Sequence, residues 1–107
     1  MRRGDLVFVA MQGDHGKPRP ALVVQSDLFD QLQTVTVLPL ISSGFVPALT
    51  RIDIAPSSSN GLRVASQIVV HRPATIGRDK VSRVIGRADP TTMVAVTRAL
   101  AVFLELA

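Results

Sequence analysis

Apolar residues come in short, dense runs for most of the chain and change period only near its end. Residues 5–11 (DLVFVAM) form a β-branched-rich run that stops at Gln12-Gly13-Asp14-His15-Gly16. Residues 21–25 (ALVVQ) form a second run, and Pro18 and Pro20 hold its entry extended. Thr34-Val35-Thr36-Val37-Leu38 alternates, which predicts a strand with one buried and one wet face. Arg51-Ile52-Asp53-Ile54 alternates too, and runs at 65–70 and 81–87 complete about six strands. Ser26 predicts the cap of a single helical turn over 27–32, with Leu28, Phe29 and Leu32 turned inward. Residues 55–61 (APSSSNG) read as a surface loop.

The period changes after Asp89-Pro90, where Asp suits an N-cap and Pro the first helical position. Apolar residues at 93, 96, 100, 103, 104 and 107 then follow helical spacing. Val94, Ala95, Ala99, Ala101, Val102 and Leu106 leave that helix little polar face. A helix apolar nearly all round must be covered, either by a barrel end or by a partner subunit, and the reading favours a homodimer. Short antiparallel strands ending in one helix predict a mainly β (α+β) fold, a small antiparallel β-barrel with a C-terminal helix. No linker divides the 107 residues, so 1–107 reads as one domain.

Composition narrows the chemistry. With no Cys, disulfide scaffolds, thiolate zinc sites and thiol nucleophiles are excluded. Two His, far apart, and scattered Asp and Glu give no metal-ligand spacing. No G-x-S-x-G elbow, GxGxxG turn or P-loop is present, so neither a metal nor a cofactor is expected. The apolar stretch 6–11 is shorter than the ~7–15 residues of a signal peptide, and no run approaches the ~20 of a membrane span. A cytoplasmic protein without membrane association is expected.

The net charge of +4 is uneven. Residues 1–53 are neutral, and all of the excess lies in 54–107, with six cations between Arg63 and Arg87 against Asp79 alone. Ten of the twelve cations are Arg, whose planar fork matches phosphate. Charge alone leaves a nucleic-acid partner and a merely solvated, Arg-rich edge equally open. Four Phe with no Trp or Tyr argue against the aromatic platforms of many single-strand binders, leaving Phe45 or Arg planes for base stacking.

His15, Lys17 and Arg19 stand at alternate positions in a Gly/Pro-rich loop. In an extended segment they would converge on one side. Pro18 and Pro20 flank Arg19 and lower its ordering cost. A fixed guanidinium beside an imidazole suits phosphoryl chemistry, the one stabilising the pentacoordinate dianion and the other moving a proton. The same residues would equally make a turn of solvated cations.

Five segments in order resemble the MazF/PemK-type toxins of bacterial toxin–antitoxin pairs, across essentially the whole chain. They are Arg3-Gly4-Asp5-Leu6-Val7, Gly16-Lys17-Pro18-Arg19-Pro20-Ala21-Leu22-Val23-Val24-Gln25, Val37-Leu38-Pro39-Leu40-Ile41-Ser42-Ser43, Asn60-Gly61-Leu62-Arg63 with Ser66-Gln67-Ile68-Val69-Val70, and Ile85-Gly86-Arg87-Ala88-Asp89. The resemblance implies an SH3-like barrel plus helix, a homodimer, a cognate antitoxin partner and metal-independent cleavage of single-stranded RNA. In that chemistry the substrate's 2′-OH attacks the adjacent phosphate, leaving a 2′,3′-cyclic phosphate and a 5′-OH. Arg19 falls on the family's Arg of the R-P motif, a transition-state stabiliser or general acid, and His15 on a loop where some members carry a proton-moving His.

Ile41 stands where the family usually has Thr, and isoleucine cannot hydrogen-bond a phosphate. The implied hydroxyl therefore passes to Ser42 or Ser43. His71 replaces a usual acidic residue and is a second candidate proton carrier, with Lys17, Ser43, Phe45, His71 and Arg72 implied to contact RNA. Two rivals share the fold: a CcdB-like gyrase poison, whose C-terminal Trp this chain lacks, and a catalytically silent relative that only binds RNA or an antitoxin.

Overall fold

The computed structural model describes residues 1–10 and 17–106. Among these are seven strands and one α-helix: β1 (Asp5–Val9), β2 (Arg19–Val23), β3 (Thr34–Ile41), β4 (Arg51–Ile54), β5 (Ser66–Val69), β6 (Ala74–Gly77), β7 (Val81–Arg87) and α1 (Pro90–Phe103). β6 was not among the six predicted strands. It is four residues long, begins straight after Pro73 and has no fully buried residue, so it carries no alternation to read.

All pairings are antiparallel, and β3 organises them. One edge of β3 pairs with β2, which leads to β1 and then β7. Its other edge is shared: residues 34–37 pair with β6, whereas Leu40 and Ile41 pair with β5, which carries β4. β6 and β7 do not pair, yet only the three residues Arg78–Lys80 join them. The sheet therefore curls until its edges nearly meet, giving a barrel that is left open along one seam.

Side-chain size follows this curl. The barrel interior holds Val7, Val9, Ala21, Val23, Val35 and Val37, flanked by Ile76 and Val81, all compact side chains that a tight curl admits. The outer face of the same strands presents the larger Leu6, Leu22, Leu38 and Leu40 to Ile54, Ile68, Val70 and Val96. β1 and β2 are thus covered on both faces and read as nearly continuous apolar runs. The wet face predicted for residues 34–38 holds only for Thr34 and Thr36, since Leu38 lies on that face but under the outer layer.

Helix α1 begins as its sequence dictates. The Asp89 carboxylate accepts from the backbone N–H of Thr92 at 2.7 Å, Pro90 occupies the first turn, and these hydrogen bonds hold the Asp89 carboxyl below its ordinary value. Val96 is fully buried, and Met93, Ala99 and Leu100 pack against the outer core. Val94 and Val102 on the helix are exposed, as are Leu104 and Leu106 just after it. No helix among the described residues is long and apolar enough to cross a membrane.

The turn after β2 corrects an expectation. Ser26 does cap it, accepting from the Leu28 N–H at 3.2 Å, but only Asp27–Phe29 is helical, as a 3-10 turn. Leu28, Phe29 and Leu32 face outward, Leu28 being 86% exposed. The inner side of the turn is taken by polar groups. Gln25 Nε2 donates to the carbonyls of Phe29 and Thr34, its Oε1 accepts from Thr36 N–H, and Arg78 Nε donates to Leu32 O at 2.5 Å. Satisfying the turn's own carbonyls leaves its apolar side chains no inward room.

Candidate functional site

Where α1 and the β4–β5 layer stop covering the barrel, its outer face opens into a cleft of about 590 Å³. Its floor continues the outer row of side chains past Leu6 and Leu22 to Phe8 and Pro20, which are register partners on β1 and β2. Leu40, Ile41 and Ser42 at the end of β3 form one wall, residues 61–64 and Ser66 another, and Arg83, Val84 and Ile85 of β7 a third. Three consecutive β7 residues reach one cleft because the β1–β7 register shifts twice, once between Leu6 and Val7 and again between Phe8 and Val9. Such bulges increase local twist and re-aim side chains.

The loop wall is fixed from within by Asn60, which is 4% exposed. Its Oδ1 accepts from the N–H groups of Ser57 and Leu62, and its Nδ2 donates to Ala55 O at 2.8 Å. The loop docks on β7 through Arg87 N–H to Ser59 O at 2.8 Å. Gly61 adopts a left-handed φ of 72° there. The predicted loop over 55–61 does lie at the surface, and Asn60 orders it so that it leads at Gly61 into the cleft wall.

Among the described residues the charge of the cleft is of one sign. Arg19, Arg63 and Arg83 line it together with the hydroxyls of Ser42 and Ser66, and no described lining residue is acidic. The other cations of the basic half divide among different tasks. Arg87 pairs with the nearly buried Asp5 at 2.6 Å and donates to Arg3 O at 3.0 Å. Arg78 holds the 3-10 turn. The six cations of residues 63–87 are thus not one continuous field, since two of them hold backbone and carboxylate groups of the barrel.

Of the site residues expected from sequence, Arg19 and Ser42 both line the cleft. His15 lies outside the described residues, so the convergence of His15, Lys17 and Arg19 rests on the sequence alone. Lys17 is exposed two residues before β2. Ser43 and Phe45 follow Ser42 on an exposed loop. That loop is clamped by Gln67, 5% exposed, whose Nε2 donates to Val46 O at 3.1 Å and whose Oε1 accepts from Arg51 Nη1 at 3.2 Å. His71 and Arg72 lie in the turn just past the end of β5 remote from Ser66. There His71 Nδ1 lies 3.1 Å from Thr50 Oγ1, and the ring sits edge-on to Phe103 of α1. Among the described residues no three His, Cys, Asp or Glu side chains come together as a metal site.

Arg63, Arg83, Phe8, Asn60 and Gln67 were not expected as site residues, although Asn60, Arg63 and Gln67 stand in a segment that carries the family resemblance. Asn60-Gly61 was the readable signal for the cleft wall, because that pair favours a left-handed turn. The role of Phe8 was not readable, since it sits inside an apolar run and is exposed only where its cover ends.

The model of a family described as PemK-like, MazF-like toxin of type II toxin–antitoxin system matches residues 2–104. The chain belongs to this family. A MazF named as a probable endoribonuclease, from Mycolicibacterium smegmatis, is 41% identical over 108 residues, spanning 100% of this chain and 99% of the relative. Among solved structures, an endoribonuclease in complex with its cognate antitoxin, from a mycobacterial species, superposes with a TM-score of 0.84 at 22% identity, covering 100% of this chain and 97% of that one. MazF from Deinococcus radiodurans gives 0.80 at 17% identity over 98% and 96%. At those identities the structural likeness carries the fold, a MazF-like barrel with a C-terminal helix, and the family assignment rests on sequence.

Proposed function

We propose that this toxin is an endoribonuclease that cuts single-stranded mRNA in the cytoplasm without a metal ion. The substrate's 2′-oxygen attacks the adjacent phosphorus and the bond to the 5′-oxygen breaks. A 2′,3′-cyclic phosphate and a 5′-OH result, and DNA, lacking the 2′-OH, is not cut. The observation that carries this reading is the cleft itself, lined by three Arg and by Ser42, with no described acidic residue, on an apolar floor. That lining attracts a polyanion and suits a reaction whose nucleophile comes from the substrate. The name of the Mycolicibacterium relative supports it.

Arg19 stabilises the dianionic phosphorane, and Ser42 donates a hydrogen bond to a phosphate oxygen in place of the family's Thr. His15, four residues before Arg19, moves the proton. Lys17, Ser43 and Phe45 contact flanking nucleotides. His71 and Arg72, at the other end of β5, reach only nucleotides bound beyond the cleft. A cognate antitoxin covers the cleft; a similar endoribonuclease is solved in complex with its own cognate antitoxin. A homodimer covers the exposed apolar side of α1.

Incubation of the purified protein with end-labelled single-stranded RNA in EDTA tests the reading. Cleavage, with 5′-OH products that accept a kinase label, is expected. Arg19→Ala should lower the rate by about 10²-fold or more while the thermal transition of the barrel stays in place. Cleavage that needs a metal, or that survives Arg19→Ala unchanged, would overturn it.

A further inference from the structure

Phe8 is half-buried on the cleft floor, and the guanidinium of its register partner Arg83 lies over its ring, with Cζ 5.2 Å from the centroid. Arg83 is held in this position by the bulged β7, where Ser82 Oγ donates to Phe8 O at 3.2 Å. Arg83 is nevertheless exposed and lines the cleft, so its guanidinium is backed by the ring and open to a ligand. Val84 and Ile85 continue beside it as an apolar rim. Arg19 pairs with Val9 and so starts from the opposite face of the sheet to Phe8 and Pro20, but it stands at the first residue of β2 and lines the same cleft as Phe8 and Arg83.

From this geometry we infer that Arg83, backed by Phe8, is the stacking platform for one nucleobase next to the phosphate held by Arg19. The inference rests on the RNA-cleaving function proposed above. A planar cation stacks on any base face, and the ring beneath removes the ordering cost that a free Arg side chain would bear. The chain thereby replaces the Trp and Tyr it lacks with a guanidinium supported by a phenylalanine. The platform grips a base rather than the reacting phosphate, so its loss raises KM and leaves kcat nearly unchanged.

The test uses RNA oligonucleotides built around a cleavage site mapped on a long transcript, each with a single abasic nucleotide at one position beside the scissile bond. For the wild type, one abasic position should raise KM on the order of tenfold. Arg83→Lys, which keeps the charge but not the plane, should raise KM for the intact RNA by a similar factor, and the same abasic substitution should then cost nothing more. Phe8→Leu should reproduce this, and should that variant not fold, Arg83→Lys decides alone. A wild-type KM in Arg83→Lys, or abasic penalties equal in wild type and variant at every position, would show Arg83 to be a phosphate contact and overturn the platform. If the wild type cuts no RNA, the proposed function fails, and the platform is judged by binding of single-stranded RNA carrying 2-aminopurine. Fluorescence quenching that Arg83→Lys abolishes supports it, and no quenching by the wild type overturns it.

Discussion

A Cβ built on Gly61 would lie 2.0 Å from the carbonyl oxygen of Ile85, and one on Gly86 would lie 2.3 Å from the carbonyl carbon of Asn60. The cleft wall and β7 therefore touch backbone to backbone, with no flexible side chain to yield. Gly61 adds a left-handed φ that an L side chain rarely takes. Gly61→Ala is expected to push the loop off β7, destabilising the fold by about 2 kcal/mol or more and weakening RNA binding, readable as a lowered denaturation midpoint and a raised KM. Asp89 offers a different residue-level check. Its carboxyl is held below 3.8 by hydrogen bonds from Thr92, so the cap's contribution is present above about pH 4 and is lost as pH falls through the lowered folded value. Asp89→Asn can still cap but does not titrate, and acid unfolding followed by circular dichroism should show a shallower acid limb than in the wild type.

At the level of elements, burial on both faces explains what the pattern made readable and what it did not. β1, β2 and most of β3 are covered inside by the barrel and outside by α1 and β4–β5, so their runs were visible in the sequence. β6 was not, because it is short and only partly covered. The turn at 27–32 misled for the opposite reason. Its apolar spacing suited burial, but its inner side is taken by Gln25 and by Arg78, the latter 46 and 49 residues away from the carbonyls it binds. Leu28→Ser should consequently change stability by no more than about 0.5 kcal/mol. Val96→Ala, by contrast, removes a fully buried side chain from between α1 and the sheet and should cost about 2 kcal/mol. Urea denaturation of the two variants in parallel decides this; equal losses would place the Leu28 side chain in the core.

For the whole molecule, the +4 charge matters less than its division of labour. Arg87 and Arg78 tie the N-terminal strand and the 3-10 turn to the barrel, while Arg19, from the neutral half, joins Arg63 and Arg83 in the cleft. The exposed apolar side of α1, on which Val94 is 49% and Val102 61% exposed, is the other unbalanced surface. A face of this kind on so small a chain marks an interface. Val102→Glu is expected to leave the monomer folded and to halve the mass measured by light scattering during size exclusion. A wild type that already elutes as a monomer would remove the homodimer from the proposal.

The sequence by itself determined the elements whose signals are local: the strand runs, the Asp89-Pro90 helix start, the turn at Asn60-Gly61, and the ordered segments that mark the family. Chain order along five segments also brought Arg19 and Ser42 forward as partners, which the fold brings into one cleft. Only the tertiary structure decided which cations face that cleft, because sequence proximity says nothing about which Arg meets a carboxylate or carbonyl 46 or 82 positions away. It also decided that Phe8 is a floor and not a core residue. Burial depends on where the covering layer ends, and the end of α1's cover over β1 is set by long-range packing that no local pattern encodes.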